Sequence, residues 1–303
     1  MKYASFSTPS SDAIRLGAVR GDRLVDVTAL MHGGPFAHAA TTLLDLVLGG
    51  PEAWTAVALE IESAGGSAPG HALTDIEWHA PIPRPRKNIM CLGMNYSAHI
   101  KETAAMRGKD AKIPEVPVIF TKAPTTVNRP FGDIVVDRGA TSEVDWEVEL
   151  GVVIGRTGKN IPAARAYDYI FGYTALNDVT ARDLQKRHLQ FFKGKSLDTF
   201  CPMGPVVVTA DEFGDPQQKR LISRVNGVVK QDGMSSQMIF PVASIIEWLS
   251  KGITIEAGDL IATGTPDGVG MGRNPPEYMR PGDVMEAEVD RIGVLRNKVV
   301  AAS

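Results

Sequence analysis

Polar and hydrophobic residues alternate over long parts of the chain with the period of two that is typical of β-strands. The clearest case is SEVDWEVELGVV at residues 142–153, where Glu143, Asp145, Glu147 and Glu149 alternate with apolar residues. Side chains of a strand point alternately to its two faces, so this pattern predicts a row of carboxylates on one face and an apolar ladder on the other. The run GVVIG that follows is apolar in both registers, which predicts that the strand continues into the core.

Other short apolar runs predict more strands, because Gly, Pro and Asp residues separate them. They include NIMCLGM, VPVIFTK, DIVVD, GPVVVT, SRVNGVVKQ, DLIATG and VMEAEVD. In this part of the chain, helical spacing is confined to SAHIKETAAMRG, DVTARDLQKRHLQFF and PVASIIEWLSKG. Strands that dominate without regular helix alternation predict an α+β, β-rich fold, with a sheet-on-sheet or roll architecture and a few outer helices.

The first part of the chain has its own pattern. IRLGAVRGDRLVDVT predicts two strands joined by a tight turn at Gly21-Asp22, and TTLLDLVLGG and PEAWTAVALEIESAGG predict helices. GGSAPGHA and then PIPRPR interrupt the periodicity. We therefore predict a small N-terminal α+β domain at residues 1–75 and a larger catalytic domain at 76–303.

Composition narrows the class of protein. The chain has 303 residues, and its net charge of -3 comes with no Lys/Arg-rich block, so nucleic acid and anionic membranes are poor partners. No apolar run approaches the roughly 18 residues of a membrane helix, and the polar start MKYASFSTPSSD does not have the pattern of a signal peptide. Cys91 and Cys201 are expected to be buried thiols in a reducing compartment, which indicates a cytoplasmic protein.

The acidic row requires either solvent and basic partners or a bound cation, because unpaired like charges are costly to desolvate. Hard divalent cations such as Mg²⁺, Mn²⁺ or Ca²⁺ prefer carboxylate oxygens. Asp178 in ALNDVTARDLQ ends an apolar run and is either a third ligand or the N-cap of a helix. Zinc is a weaker choice, since the six histidines are scattered.

Seven segments in order resemble the fumarylacetoacetate hydrolase family, roughly over residues 80 to 300. They are CLGMNYSAHIKE, IFTKAPTTV, SEVDWEVELGVVIG, FGYTALNDVTARDLQ, GKSLDTFCPMGPVV, RVNGVVKQDGMSSQMIFPVASIIEWLS and GDLIATGTPDGVG. The resemblance implies a mixed β-sandwich roll, a small leading domain, a homodimer, Mg²⁺ or Mn²⁺ as cofactor, and a 2-oxo acid substrate. It also implies that Glu147, Glu149 and Asp178 are the metal ligands.

Strand geometry agrees with this ligand set, since Glu147 and Glu149 share a face. A rise of about 3.3 Å per residue puts Glu143 roughly 20 Å from Glu149. We therefore expect Glu143 and Asp145 to have supporting or solvent-exposed roles.

His99 and Glu102 are three residues apart, which makes them neighbours on one helical face. Spacing alone favours an exposed ion pair, but the resemblance implies a lid over the metal, where Glu102 orients His99 for proton transfer to and from a water molecule. The polar run KETAAMRGKDAKIPEV suits such a lid.

Further residues are expected to contact the substrate. Arg182 and Gln185 lie four and seven residues after Asp178, so one helix face could present all three. The resemblance implies that Lys195 lies near the metal, where it would hold a substrate carboxylate or enolate oxygen, and that Thr265 contacts substrate. Lys122 either lines the site or pairs with an acidic residue, Asp145 or Glu143.

We expect hydrolysis of the C–C bond of an acylpyruvate-type 2,4-diketo acid, such as fumarylpyruvate or a diketo-deoxy sugar acid. Alternatives at the same site are oxaloacetate decarboxylase and 2-hydroxyhepta-2,4-diene-1,7-dioate isomerase. A non-catalytic protein stabilised by a metal is a weaker one. The far end of the substrate would be met by Met94, Met106 and residues 270–278, and the sequence does not identify it.

Overall fold

The computed structural model describes residues 1–106, 110 and 112–302, and of residues 103–106 it describes only the backbone. The strands of this part of the chain are β1 Lys2–Thr8, β2 Ser11–Arg20, β3 Arg23–Asp26, β4 Gly70–Ala72, β5 Glu77–His79, β6 Ile89–Gly93, β7 Val118–Lys122, β8 Val127–Asn128, β9 Ile134–Val136, β10 Val144–Asp145, β11 Val148–Ile154, β12 Ile170–Asn177, β13 Thr180–Ala181, β14 Cys201–Thr209, β15 Arg220–Val225, β16 Val228–Met234, β17 Leu260–Ala262, β18 Val284–Val289 and β19 Gly293–Ala301. Its α-helices are α1 Val27–Leu30, α2 Leu43–Ala64, α3 Ser97–Met106, α4 Arg182–Arg187, α5 Phe192–Lys195, α6 Ala210–Phe213 and α7 Val242–Ser250.

Two sheets organise the fold, which is α+β and β-rich as predicted. The larger sheet has the order β4-β3-β2-β1-β14-β12-β11-β17-β6-β7, and the smaller has the order β16-β15-β18-β19-β9. Adjacent residues of β11 enter different cores: Val152 belongs to the cluster shared with the smaller sheet, and Val153 to the cluster shared with α2. The central strand is therefore buried on both faces, as its apolar run indicates.

The predicted strand at 142–153 is interrupted. β10 ends at Asp145 and β11 begins at Val148. The backbone N–H of Trp146 donates to Asp145 Oδ1 at 2.8 Å, and that of Glu147 donates to Asn177 Oδ1 at 3.0 Å. Side-chain acceptors thus replace the strand ladder at this point, and Glu147 lies just before β11 rather than within a continuous strand.

The N-terminal elements agree with the prediction at the level of single elements. β2 and β3 flank Gly21-Asp22, and α2 spans the two predicted helical runs, with non-helical backbone at Gly50. β1 pairs with β14, so these strands extend the larger sheet. A division into domains at residue 75 stays a prediction.

The helix predicted to start near Asp178 begins later. Its N-cap is Ala181, and the helix ends at Arg187, so Asp178 is not an N-cap and does not share a helix face with Arg182 and Gln185. A second short helix, α5, then carries Lys195. Within the described part of the chain, no helix has the length and apolar character needed to cross a membrane.

Candidate active site

Glu147, Glu149 and Asp178 meet at the ends of two paired strands. β11 and β12 are antiparallel, with Val148 opposite Asn177, so the residues flanking this pair come together. One carboxylate oxygen from each of the three residues lies within 4.8 Å of the others, and all three residues are buried. The sequence prediction brought together the same three residues.

Three basic side chains surround two of these carboxylates. Lys195 Nζ lies 2.7 Å from Glu147 Oε2 and 2.6 Å from Asp178 Oδ2. Lys122 Nζ lies 2.6 Å from Asp178 Oδ1, and Arg182 Nη2 lies 2.6 Å from Glu147 Oε1. Both oxygens of Glu147 and both of Asp178 are thus fixed by charge.

The two glutamates of the site have opposite pKa shifts. Burial acts to raise the pKa of Glu147, but Lys195, Arg182 and His99 outweigh burial and lower it to about 2. For Glu149, burial raises the pKa well above its usual value, and the neighbouring carboxylates of Asp178 and Glu147 raise it further. Glu149 Oε2 accepts the backbone N–H of Gly264 at 2.7 Å, and no lysine or arginine of the described residues pairs with it.

This donor set fits a hard divalent cation. A buried carboxylate without a basic partner is costly unless a cation binds it, and a triad made only of carboxylates supplies the oxygen ligands that Mg²⁺, Mn²⁺ and Ca²⁺ prefer. Glu147, Glu149 and Asp178 would hold the ion.

The predicted pair on the lid lies over the same site. His99 and Glu102 are on α3, where His99 Nδ1 lies 3.5 Å from Glu102 Oε2. Glu102 in turn accepts the backbone N–H of Gly268. Residues 107–109 and 111 of the predicted lid, as well as the side chain of Met106, lie outside the part of the chain that is described.

A cavity of about 70 Å³ connects the lid to the acidic cluster. Its polar lining consists of His99, Glu147, Arg182, Gln185, Lys195 and Thr265. Its apolar lining consists of Leu92, Met94, Phe120, Phe191 and Met271. The predicted catalytic and substrate-binding residues other than Glu102 and Lys122 therefore share one small cavity. Met94 and Met271, from the regions expected to meet the far end of a substrate, also line it.

Lys122 and Thr265 have internal partners. Lys122 is completely buried and donates to Asp178 Oδ1 and to the carbonyl of Val179 at 3.1 Å, so it pairs with neither Asp145 nor Glu143. The Thr265 hydroxyl donates to the Val148 carbonyl at 2.8 Å. Lys122 thus contacts the candidate metal ligand Asp178 but does not line the cavity.

Asp145 and Glu143, which were expected to have supporting or solvent-exposed roles, differ in their burial. Asp145 is completely buried and accepts a hydrogen bond from Arg182 Nε at 2.8 Å. Glu143 is partly exposed and pairs with Lys186 at 2.9 Å. Their shared strand face gave no signal that one would be enclosed, because burial here depends on loop residues distant in sequence.

Comparison with known proteins identifies the family of the chain. The family model of the fumarylacetoacetate hydrolase C-terminal domain matches residues 88–300, and the chain belongs to this family. The chain is 52% identical over 230 residues to the oxaloacetate tautomerase YisK of Bacillus subtilis, covering 76% of this chain and 75% of that protein. It is 42% identical over 229 residues to the human mitochondrial oxaloacetate tautomerase FAHD2A, covering 75% and 70%.

Solved structures have the same fold. The fumarylacetoacetate hydrolase from Exiguobacterium antarcticum matches with a TM-score of 0.83 and 40% identity, with both chains covered completely. The maleylpyruvate hydrolase from Sphingobium, solved with manganese and pyruvate, matches with a TM-score of 0.78 and 27% identity, again over both complete chains. The named relatives are enzymes, and the two sequence relatives at 52% and 42% identity are oxaloacetate tautomerases.

Proposed function

We propose that the protein is a metal-dependent oxaloacetate tautomerase. The observation that carries this proposal is the 52% identity with an oxaloacetate tautomerase over a match that covers 76% of the chain. It favours oxaloacetate chemistry, the alternative expected from the sequence, over hydrolysis of an acylpyruvate, which was the main expectation. The proposed reaction is tautomerisation, where the alternative had named decarboxylation.

The reaction moves one proton between C3 of oxaloacetate and the oxygen on C2, so it needs neither water nor a second reactant. A divalent cation held by Glu147, Glu149 and Asp178 would supply positive charge where negative charge develops on the C2 oxygen. The Lys195 ammonium group, beside Glu147 and Asp178, adds positive charge at the same end of the cavity.

His99 is the proposed acid and base. Its Nδ1 lies toward Glu102, which orients the ring, so Nε2 on the other side of the ring takes the proton from C3 and delivers it to the C2 oxygen, or moves it in the reverse direction. Arg182 Nη1 donates to Gln185 Oε1 at 3.1 Å, so the amide nitrogen of Gln185 is the group that can bind a substrate oxygen. Gln185 is therefore the proposed orienting residue.

A second candidate is hydrolysis of an acylpyruvate. The similarity to maleylpyruvate hydrolase favours it, and His99 with Glu102 would then activate a water molecule. The two candidates differ in whether a carbon–carbon bond breaks.

The test uses the enol form of oxaloacetate with the purified protein and Mn²⁺ or Mg²⁺. We expect faster loss of the enol absorbance, dependent on metal, without a matching release of pyruvate. Pyruvate release equal to the loss of oxaloacetate would indicate a decarboxylase, and faster cleavage of acetylpyruvate would indicate a hydrolase; either result contradicts the proposal.

The His99→Ala variant tests the role of the lid histidine. Removing an acid-base group is expected to slow tautomerisation by roughly 10² to 10⁴-fold, while Mn²⁺ affinity measured by calorimetry stays near that of the wild type. An unchanged rate would remove His99 from the proposed mechanism.

A further inference from the structure

The turn at residues 268–272, here the docking turn, receives the lid helix. The backbone N–H of Gly268 lies 3.1 and 3.2 Å from the two carboxylate oxygens of Glu102. A Cβ atom on Gly272 would lie 2.1 Å from Cδ of Glu102, so the absence of a side chain allows the close approach. The outer side of the turn therefore fits the lid.

Asp145 holds the inner side of the same turn. Its Oδ1 accepts the backbone N–H of Gly270 at 2.6 Å, and its Oδ2 accepts that of Met271 at 2.9 Å. A Cβ atom on Gly270 would lie 2.6 Å from Asp145 Oδ1. The turn is thus fixed between a buried carboxylate and a carboxylate of the lid.

Asp145 also binds the arginine that contacts a candidate metal ligand. Arg182 Nε donates to Asp145 Oδ2 at 2.8 Å, and Arg182 Nη2 lies 2.6 Å from Glu147 Oε1. The side chain of Arg182 is only 3% exposed. Charge-assisted contacts of this kind fix the plane of a guanidinium group.

We propose that Asp145 is a positioning residue that couples docking of the lid to the arrangement of the metal ligands. The connection runs from Glu102 through the docking turn to Asp145, and then through Arg182 to Glu147. One carboxylate satisfies the turn and the arginine together, so a shift of either changes the partners of the other. The metal half of this inference rests on the proposed function, and the lid half does not.

The first test is the Asp145→Asn variant. It has nearly the same shape, but an amide N–H₂ replaces one of two oxygens that each accept hydrogen bonds. In the metal-free protein we expect hydrogen–deuterium exchange of residues 97–102 to accelerate about tenfold, the factor for loss of one charge-assisted hydrogen bond. Mn²⁺ affinity, measured by calorimetry, should weaken by a similar factor, while exchange in α7 stays as in the wild type.

The Glu143→Gln variant is the matched control. It removes the same charge two residues earlier, where Glu143 contacts Lys186 and Tyr278. Both exchange in the lid and Mn²⁺ affinity should equal those of the wild type. Wild-type lid exchange in Asp145→Asn, or equal effects of the two substitutions, would overturn the inference.

A second variant changes the contact between the docking turn and the lid helix, and it can be used if Asp145→Asn does not fold. In Gly272→Ala, the added methyl group displaces the flexible end of Glu102. The Trp146 indole N–H donates to the Gly268 carbonyl at 3.1 Å, so we expect a change in Trp146 emission that is lost in a Trp146→Phe background. Because coupling between sites is reciprocal, Mn²⁺ affinity should fall several-fold.

Faster lid exchange in Gly272→Ala with wild-type Mn²⁺ affinity and unchanged emission would overturn the coupling. The exchange and emission measurements use no substrate. Their failure therefore leaves the tautomerase proposal standing, and failure of the oxaloacetate assay leaves the coupling standing.

Discussion

Glu147 and Glu149 are two residues apart, yet they lie in opposite electrostatic surroundings. Lys195 and Arg182 contact Glu147, and its pKa is lowered to about 2 despite burial. Glu149 has the backbone N–H of Gly264, and burial together with the nearby carboxylates raises its pKa well above the usual value. Glu147 is therefore ionised and paired with basic groups before a cation binds, whereas Glu149 would give up its proton when a cation binds.

The charges of the buried cluster fit a sequence of binding events. The cluster has one more carboxylate than it has basic groups when Glu149 is ionised. Its members are Asp145, Glu147, Glu149, Asp178, Lys122, Lys195 and Arg182. A divalent cation would make the cluster net positive, which suits a 2-oxo acid anion binding afterwards.

The largest effect is expected from removing Lys195, which forms ion pairs with Glu147 and Asp178. Lys195→Met leaves Glu147 and Asp178 without the ammonium group that they share, and breaking a buried ion pair costs about 3 to 5 kcal/mol. We expect the free energy of unfolding of the metal-free protein to fall by that amount in urea titrations, and tautomerase activity to be lost.

Lys186→Met is the control for this substitution. Lys186 pairs with Glu143 but is 52% exposed, and such surface pairs contribute less than about 1 kcal/mol. A loss of stability as small in Lys195→Met as in Lys186→Met would show that the ion pairs of Lys195 with Glu147 and Asp178 do not stabilise the fold.

The next effect has the opposite sign. The pKa of Glu149 is raised in the metal-free folded protein, so on going above pH 4.5, the usual pKa of a glutamate, the unfolded chain loses this proton before the folded protein does. Stability therefore falls as the pH rises, and Glu149→Gln avoids this loss. We expect the metal-free variant to be more stable than the wild type at pH 7, with the difference shrinking toward pH 4.5.

Urea unfolding in EDTA at several pH values measures this difference. With Mn²⁺ at a thousandfold excess over Kd, binding stabilises the wild type by about 4 kcal/mol, which opposes the advantage of the variant. A variant less stable than the wild type in EDTA would contradict the view that the Glu149 carboxyl group destabilises the fold when no cation is bound.

The sequence predicted the elements and the clustering of Glu147, Glu149 and Asp178 better than it predicted the connections between the elements. The period of two and the helical spacing located β11, α3 and α7, because each depends on neighbouring residues. The interruption at Trp146 depends on Asn177, and the late start of α4 on a short bridge between β10 and β13. Such contacts join residues far apart in sequence, and a local pattern does not contain them.

The same limit explains Asp145 and Lys122. Spacing placed Asp145 on the acidic face, but its enclosure comes from the turn at Gly270 and Met271. Lys122 was expected either to line the site or to pair with Asp145 or Glu143, and the register that puts β7 beside β6 places its side chain against Asp178. Residue type indicated that both would serve the site, and only the fold determined their partners.

The smallest effect is expected from removing Lys122, which contacts Asp178 on the side away from the cavity. Lys122→Met removes one of the two ammonium groups on Asp178 and leaves Lys195 in contact with the other oxygen. Loss of a group that orients a metal ligand typically weakens metal binding by about 10 to 100-fold. We expect this weakening for Mn²⁺ in calorimetry, with kcat recovered at saturating Mn²⁺ and KM for oxaloacetate unchanged, because Lys122 lies outside the cavity lining. A raised KM at saturating Mn²⁺ would instead show that Lys122 contributes to substrate binding. Lys195 and Arg182 would then be the basic residues that distinguish the surroundings of Glu147 from those of Glu149.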